Sequence, residues 1–587
     1  MLPKFSVDQA LMKAKSYTRK GEIAEALKIY QTILKTFSQN KRAQQELESL
    51  NNLRVNSSLR TPTQIEINRV VNLYNQKQYF SAFEESQSLT IKYSKAFIVW
   101  NIMGASAFQI GMLNEAIDAY KKTILLNPNF ADAYCNMGVA LNQKGNVDEA
   151  IELYNKALSI MPDYADAYYN LGNALKDQGK FDEAIEAYKS AVLIKPDYAE
   201  AYCNSGMVFQ DQGKLDEAVK FYKKSISIKP DYAEAYNNLG NIVHFQSKLD
   251  KAIKFYKKSI SLKPDLAKAH KNLSFTLLNC GKFQEGLDEY EWRWKTDDFL
   301  SQQRGFLQPL WDRKKSLKGK RILVWSEQGV GDTINWSSCL SHLTSQADYC
   351  ILECQEKLVP LLKRSFPNIE VKAEDRSLDS KRDDFDFHLP MGSLYKNFME
   401  EVFINKQVNA YLVPDPERVV FWKERLKSLG KGPFIGICWK SIIMTPDRLP
   451  NYATISEWSP ILTIPNATFI NLQPKDFEED LIKVKDELGV TVHNFDDIDH
   501  FNDLDDVAAL CSALDMVVSN KTTVPLISAG VGTSTKLANW RQSSWNNPLL
   551  NPKGPSVDIY ERDTWDTWEN VFHLIKKNVL EQYKILI

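Results

Sequence analysis

The sequence predicts an all-α repeat superhelix followed by an α/β region built as two parallel-sheet lobes. Three observations predict it. A 34-residue period runs through the first half. All but Trp100 of the thirteen tryptophans fall after residue 290, so the halves are different objects. Beyond residue 320, short apolar runs alternate with helical stretches. At 587 residues, a prior of about 150 residues per domain gives three or four units. The expected division is a weak repeat region at 1–62, the superhelix at 63–300, a first lobe at 301–412, and a second lobe with a terminal helix at 413–587.

Composition removes several function classes. With 44% hydrophobic and 25% charged residues the chain can fill full-sized cores, so disorder is not the default. The balance of 73 basic against 74 acidic side chains gives no net field toward nucleic acid or an anionic membrane. The eight cysteines, Cys135, Cys203, Cys280, Cys339, Cys350, Cys354, Cys438 and Cys511, form no CxxC pair, which argues against a zinc site or a disulfide framework. Free thiols fit a reducing cytoplasm. The start, MLPKFSVDQALMKAKSYTRKG, has no apolar leader core, and no apolar run reaches the ~18 residues of a membrane span. Seven histidines show neither an i,i+4 pair nor an HExxH phrase, so no metal is expected.

The repeats run from 131 to 164 (ADAYCNMGVALNQKGNVDEAIELYNKALSIMPDY), then 165 to 198, 199 to 232 and 233 to 266, with 97 to 130 before and a decaying copy at 267 to 300. Weaker copies stand at 63–96 and 7–40, with 41–62 a looser joint, about eight repeats in all. In one copy, Tyr134, Met137, Gly138 and Leu141 share a face, and Ala150, Tyr154 and Ala157 share one on a second helix. Gly138 and Ala150 allow close approach, Gly145 makes the turn, and Pro162 stops the second helix for want of an amide hydrogen. Each pair leaves an apolar face that only its neighbour can bury. In the last copy Asp298 replaces the stopping proline and the helix runs into YEWRW. This 34-residue helix-turn-helix pattern resembles the tetratricopeptide family.

An asparagine recurs at the sixth position of five units: Asn136, Asn170, Asn204, Asn238 and Asn272. A row of amides on the inner helix can pair with the backbone of an extended protein or peptide without reading its side chains. It can equally satisfy neighbouring turns. The row and the AxAYxNLG phrase resemble the asparagine ladder of O-linked N-acetylglucosamine transferases.

After the connector RGFLQPLWDRKKSLKGK, the run RILVW (321–325) reads as a buried strand, followed by the turn SEQGVGD and a helix from Thr333 to Leu343. Strands at 349–353, 369–372 and 385–389 alternate with helices at 355–365 and 392–402. After VPDPER, the runs FIGICW, ATFINLQ, VTVHNF and DMVVS repeat the rhythm, and WDTWENVFHLIKKNVL is a terminal amphipathic helix placed to fold across the lobes.

Two Rossmann-like lobes facing a cleft describe a GT-B glycosyltransferase architecture. The phrases EQGVGDTI and YEWRW…QPLWD, in this order, resemble bacterial tetratricopeptide proteins with a heptosyltransferase-like C-terminal region, over roughly residues 290–545. The resemblance implies glycosyl transfer from a nucleotide-sugar co-substrate, with Asp332 as base, carried over from the Asp of the GxGD turn. Asp332 can also serve only as a helix cap. Such chemistry needs positive or amide groups for the departing diphosphate. Candidates are Lys440 and Arg448, which can also be solvated loop charges, Lys521, and Thr522 and Thr523 at a helix start that makes a phosphate cradle, while Gln473 lies where such folds contact the donor nucleotide. The heptosyltransferase pattern has an Asp-Thr and a downstream His here; this chain has Lys521 and Leu526.

Two functions follow. One is a cytoplasmic glycosyltransferase whose superhelix presents a protein acceptor. The other is a non-catalytic scaffold whose degenerate lobe binds protein or nucleotide.

Overall fold

A computed structural model describes residues 7–20, 23–58, 61–296, 299, 302–404, 410–442, 444, 448–540, 556–562 and 566–583. The chain forms two compact units, Met1–Asp231 and Tyr232–Ile587. The division falls inside the repeats, so those beginning at Ala233 and Ala267 share a unit with the α/β region.

The first unit is helical. It opens with α1 (Val7–Lys20), α2 (Ile23–Thr36) and α3 (Lys41–Ser58), the last occupying the stretch expected to be a loose joint. Five pairs follow: α4 (Gln64–Asn75) with α5 (Tyr79–Lys92), α6 (Phe97–Gln109) with α7 (Leu113–Leu126), α8 (Ala131–Gln143) with α9 (Val147–Ile160), α10 (Ala165–Asp177) with α11 (Phe181–Ile194), and α12 (Ala199–Asp211) with α13 (Leu215–Ile228). Gly145 turns the chain at φ 91°, a conformation closed to most side chains. One contact recurs in each pair from α6 onward. A Cβ on Gly138 would lie 2.6 Å from Tyr154 Cε1, and the same holds for Gly172 with Tyr188, both tyrosines being buried.

The second unit repeats this scheme in α14 (Ala233–Phe245) and α15 (Leu249–Leu262), with Tyr256 over Gly240. The next pair changes. In α16 (Ala267–Asn279), Ser274 donates to the carbonyl of Gly286 at 2.7 Å, and α17 (Phe283–Tyr290) ends after 8 residues in a 3-10 turn, Glu291–Lys295. Asp298 lies outside the described residues.

Two parallel sheets follow. The first contains β1 (Arg321–Trp325), β2 (Tyr349–Cys354), β3 (Ile369–Ala373) and β4 (Phe387–Pro390) in the order β3-β2-β1-β4. Its helices are α18 (Val330–Ser337), α19 (Leu340–Thr344), α20 (Val359–Ser365) and α21 (Leu394–Asn397). The helix expected over 333–343 is therefore two, separated at Ser338 and Cys339, and the one expected over 392–402 shrinks to α21 plus a π-turn at Glu400–Ile404.

α22 (Pro416–Ser428) leads into β5 (Phe434–Cys438), α23 (Ser459–Leu462), β6 (Thr468–Asn471), α24 (Glu478–Leu488), β7 (Val492–His493), α25 (Leu504–Ala513), β8 (Met516–Asn520), α26 (Val524–Gly530), β9 (Ser534–Trp540), β10 (Val557–Arg562) and α27 (Trp568–Tyr583). The sheet order is β10-β9-β8-β5-β6-β7. β9 and β10 were not expected from sequence.

One continuous core runs from Leu287 and Tyr290 of the last repeat through Val324 and Trp336 to Val517 and Leu526. The far face of the second sheet packs on α27, where Trp568 and Phe572 meet Trp458 and Ile435. The terminal helix thus covers its own lobe instead of crossing to the other.

Gly172→Ala should lower stability by about 1–2 kcal/mol despite alanine's better helix propensity, because buried Tyr188 is held by its hydroxyl donating to Asn173 Oδ1 at 2.7 Å and has no room to yield. Urea unfolding of the variant against the parent checks this.

Candidate functional site

In a parallel sheet the crevice for a ligand opens at the carboxyl ends of two strands whose connections leave in opposite directions. In the first sheet these are β1 and β4. A side chain of the same chain fills that crevice. Glu327, just beyond β1, accepts from Arg293 Nε and Nη2, both at 3.1 Å, and from the Gly392 amide at 3.1 Å. Arg293 comes from the 3-10 turn that ends the last repeat. It also donates to Ser393 Oγ at 3.0 Å and Glu291 Oε1 at 2.8 Å, and lies over the Tyr290 and Trp294 rings. Its side chain is 1% exposed and that of Glu327 is 0%. Burial pushes the Glu327 carboxyl up, against the pull of Arg293. A Cβ on Gly392 would sit 2.0 Å from Glu327 Oε1, so glycine is required there.

Five residues after Glu327 stands Asp332. It is not the cap residue itself: Gly329 is the cap, and Asp332, at the third helical position, accepts the Gly329 amide at 3.1 Å. Burial raises its carboxyl to about 6, while that amide, Lys521 and Arg448 pull it down. The second lobe is close at this point. A Cβ on Gly331 would lie 3.1 Å from Leu526 Cδ1 and 3.5 Å from Thr523 Oγ1. The structure therefore brings Asp332, Arg448, Lys521 and Thr523 to one seam between the lobes.

The other predicted residues are engaged elsewhere. Lys440 Nζ pairs with Asp480 Oδ2 at 2.8 Å, an oxygen shared with Trp439 Nε1, which turns the ammonium toward α24. Gln473 is 1% exposed, and its Oε1 accepts from the Lys440 amide at 3.1 Å and from Cys438 Sγ at 3.4 Å. Its work is to hold the end of β5. The phosphate cradle read at residues 522–526 is poorer than expected: α26 has only 7 residues, Pro525 has no amide hydrogen, and the Val524 amide donates to Thr522 Oγ1 at 3.3 Å. Thr522 faces inward to Cys438 and Ser519. Tyr452, which sequence reading passed over, donates to the Lys521 carbonyl at 3.2 Å and braces that loop.

The asparagine row has internal partners as well. Asn170 Nδ2 reaches Cys135 Sγ at 3.5 Å; Asn204 Nδ2 donates to Tyr169 Oη at 3.1 Å and Asn173 Oδ1 at 2.7 Å; Asn272 Nδ2 donates to Asn237 Oδ1 at 3.0 Å and Asn241 Oδ1 at 2.9 Å. Each of these amides joins its inner helix to the inner helix of the preceding repeat. Asn136 and Asn238 are likewise half-buried, and Asn238 Oδ1 accepts from Asn237 Nδ2 at 3.3 Å.

Removing one member of a buried ion pair strands the other, at about 3–5 kcal/mol, whereas an apolar pair of similar volume is often tolerated. Arg293→Met should therefore destabilise by that order, and Arg293→Met/Glu327→Met by much less, a double-mutant cycle readable by denaturant unfolding. For Asp332 the sign follows from a folded pKa above the unfolded one. Stability is fully present below pH ~4 and is lost as pH rises through ~6. Asp332→Asn should melt higher than the parent at pH 7.5, with the gap closing toward pH 4 in a thermal-shift series.

Family models described as TPR repeat match residues 104–145, 140–179 and 172–213, and one described as tetratricopeptide repeat matches 197–265, so the helix pairs are tetratricopeptide repeats. The chain is 32% identical over 311 residues to protein FlbA of Caulobacter vibrioides, covering 50% of this chain and 52% of that protein. It thus spans about half the length of the curated relative it matches. Among solved structures, MamA is 32% identical over 28% of this chain and 97% of its own, with a TM-score of 0.26. YrrB, described as a TPR protein with an unusual peptide-binding site, is 24% identical over 34% of this chain and 98% of its own, with a TM-score of 0.27.

Proposed function

We propose that the α/β region of the second unit is a GT-B-type glycosyltransferase acting on a protein held by the tetratricopeptide repeats. The observation that carries this reading is the seam at Asp332, where a carboxylate with a pKa near 6 lies within electrostatic reach of Lys521 and Arg448. At neutral pH the carboxylate is mostly ionised and able to accept a proton, and a general base works best with a pKa near the working pH. In the reaction, the acceptor hydroxyl passes its proton to Asp332 as its oxygen bonds to the anomeric carbon. The bond from that carbon to the diphosphate oxygen breaks, and the electron pair leaves on the nucleoside diphosphate. Lys521 and Arg448 offset the charge that develops there. No metal enters this scheme. Asn170, Asn204 and Asn272, whose donors join the repeats, support acceptor presentation through their amide carbonyls.

A second reading, a protein-binding scaffold with a degenerate lobe, is favoured by a different observation. Lys440, Gln473 and Thr522 are bonded within the protein, and Pro525 removes an amide from the expected cradle. A thermal-shift screen of the full chain against nucleoside diphosphates separates the two. A ligand at 100 times its dissociation constant stabilises by ~2.7 kcal/mol, and Lys521→Ala should weaken that ligand about tenfold. Loss of nucleotide-sugar turnover in Asp332→Ala with binding retained supports the enzyme. No shift with any nucleotide leaves the scaffold.

A further inference from the structure

The second helices α7, α9, α11, α13 and α15 present an outer face to solvent, and the charge on that face changes along the chain. At the nineteenth, twenty-second and twenty-sixth repeat positions the residues are Glu115, Asp118 and Lys122 in α7, then Glu149, Glu152 and Lys156 in α9, and Glu183, Glu186 and Ser190 in α11. In α13 they become Glu217, Lys220 and Lys224, and in α15 Lys251, Lys254 and Lys258. The fold does not require this reversal, because the same position of the same helix pair is occupied with either sign. Lys251, in the first turn of α15, opposes the helix dipole where the four preceding second helices place glutamate. Lys251, Lys254 and Lys258 stand at i, i+3 and i+7, are all exposed, and have no carboxylate partner among the described residues. Their neighbours Lys257 and Lys263 do have one, in Glu285 and Glu234.

The complement is present in the same sequence. Asp118, Glu152 and Glu183 are exposed on the corresponding faces of α7, α9 and α11, also without a cation partner among the described residues. Glu183 and Glu186 rim a concavity of about 700 Å³ whose floor includes Leu171, Leu175 and Phe209. A lysine suits such a groove, laying its methylenes on the apolar floor while its ammonium meets the rim carboxylates. Lys189 and Lys214 share the rim, and Lys189 pairs with Glu186 at 2.7 Å, so the field there is mixed and the match to the α15 stripe is set by Glu152 and Glu183.

We propose that α15 of one copy of this chain docks, through Lys251, Lys254 and Lys258, on the acidic outer face of α9 and α11 of a second copy. Because the two patches differ, the contact is either head-to-tail, extending to further copies or closing a ring, or made twice in a two-fold pair of copies. It is independent of any chemistry at Asp332.

Sedimentation velocity of the full chain tests it. At about 50 mM salt the mass should rise with protein concentration through tens of micromolar, and at about 500 mM salt, where charges are screened within a few ångströms, it should fall to that of one chain. Lys251→Glu/Lys254→Glu/Lys258→Glu should abolish the rise. Its first two changes install what α9 already carries, so the repeat has a precedent for folding with them. Glu152→Lys/Glu183→Lys/Glu186→Lys should abolish it too, and an equimolar mixture of the two variants should associate again. A parent that stays single at low salt overturns the proposal, as does a lysine variant that associates like the parent. Retention of a single-stranded RNA by the parent and not by the lysine variant, without self-association, also overturns it and gives the stripe to nucleic acid.

Discussion

The second unit is organised around one buried charge pair. An ion pair with side chains 1% and 0% exposed has lost nearly all its water, and only complete hydrogen bonding offsets that desolvation. Arg293 and Glu327 obtain it from three segments: the Tyr290–Glu291 corner, the end of β1 and the Gly392–Ser393 turn. Each segment is held in place by this requirement. The last repeat gives up the end of its outer helix, which stops at Tyr290 after 8 residues where α15 has 14, because the chain must tighten into a 3-10 turn to aim Arg293 inward. Gly392 must lack a side chain for its amide to reach the carboxylate. The last repeat therefore belongs with the α/β region by chemistry as well as by contact.

The pair also makes the two sheets unequal. In the first, the crevice between β1 and β4 is filled by Arg293. In the second, the crevice between β5 and β8 is lined by Cys438, Ser519 and Thr522, which bond mainly to one another. At the seam the loop after Glu327 brings Asp332 within the electrostatic influence of Lys521 and Arg448. Any chemistry of this region depends on how far the lobes can separate there. Arg364, which pairs with both oxygens of Asp505 at 2.6 and 2.7 Å, and the Tyr411 amide, donating to the Gly530 carbonyl at 2.9 Å, tie them together.

What could be read in the sequence follows the range of the forces involved. The repeats and the first eight strands were legible because apolar spacing is a local signal. β9 was missed because Thr535, Lys536 and Asn539 are buried in it at 0%, 3% and 1% exposure, so its polarity resembles a loop; β10 is partly exposed at the sheet edge. α3 resembles a joint in sequence because its second half is polar and asparagine-rich. Side-chain roles depend on partners that sequence spacing does not reveal. Asp480 claims Lys440 from 40 residues away, and the asparagines find acceptors 31 or 35 residues back, one repeat earlier. Pro525 was a visible warning against the phosphate cradle, since a residue without an amide hydrogen cannot contribute to one. Arg293 and Glu327 were visible too, as a charge between two tryptophans in YEWRW and another directly after RILVWS.

The outer faces of the repeats pose the opposite problem, because there the fold demands nothing. A surface residue at the third position of a helix changes stability through the dipole by about 0.3–1 kcal/mol, and like charges one turn apart add about 0.2–0.5 kcal/mol per pair. Glutamate at that position in four second helices follows the first rule, and Lys251, with Lys254 and Lys258 one and two turns on, goes against both. Folding alone would favour the residues that α9 carries. A stripe that is locally unfavourable, unpaired among the described residues and different from its own internal homologues indicates selection by something outside the helix, and the acidic face of the earlier repeats has the sign to supply it.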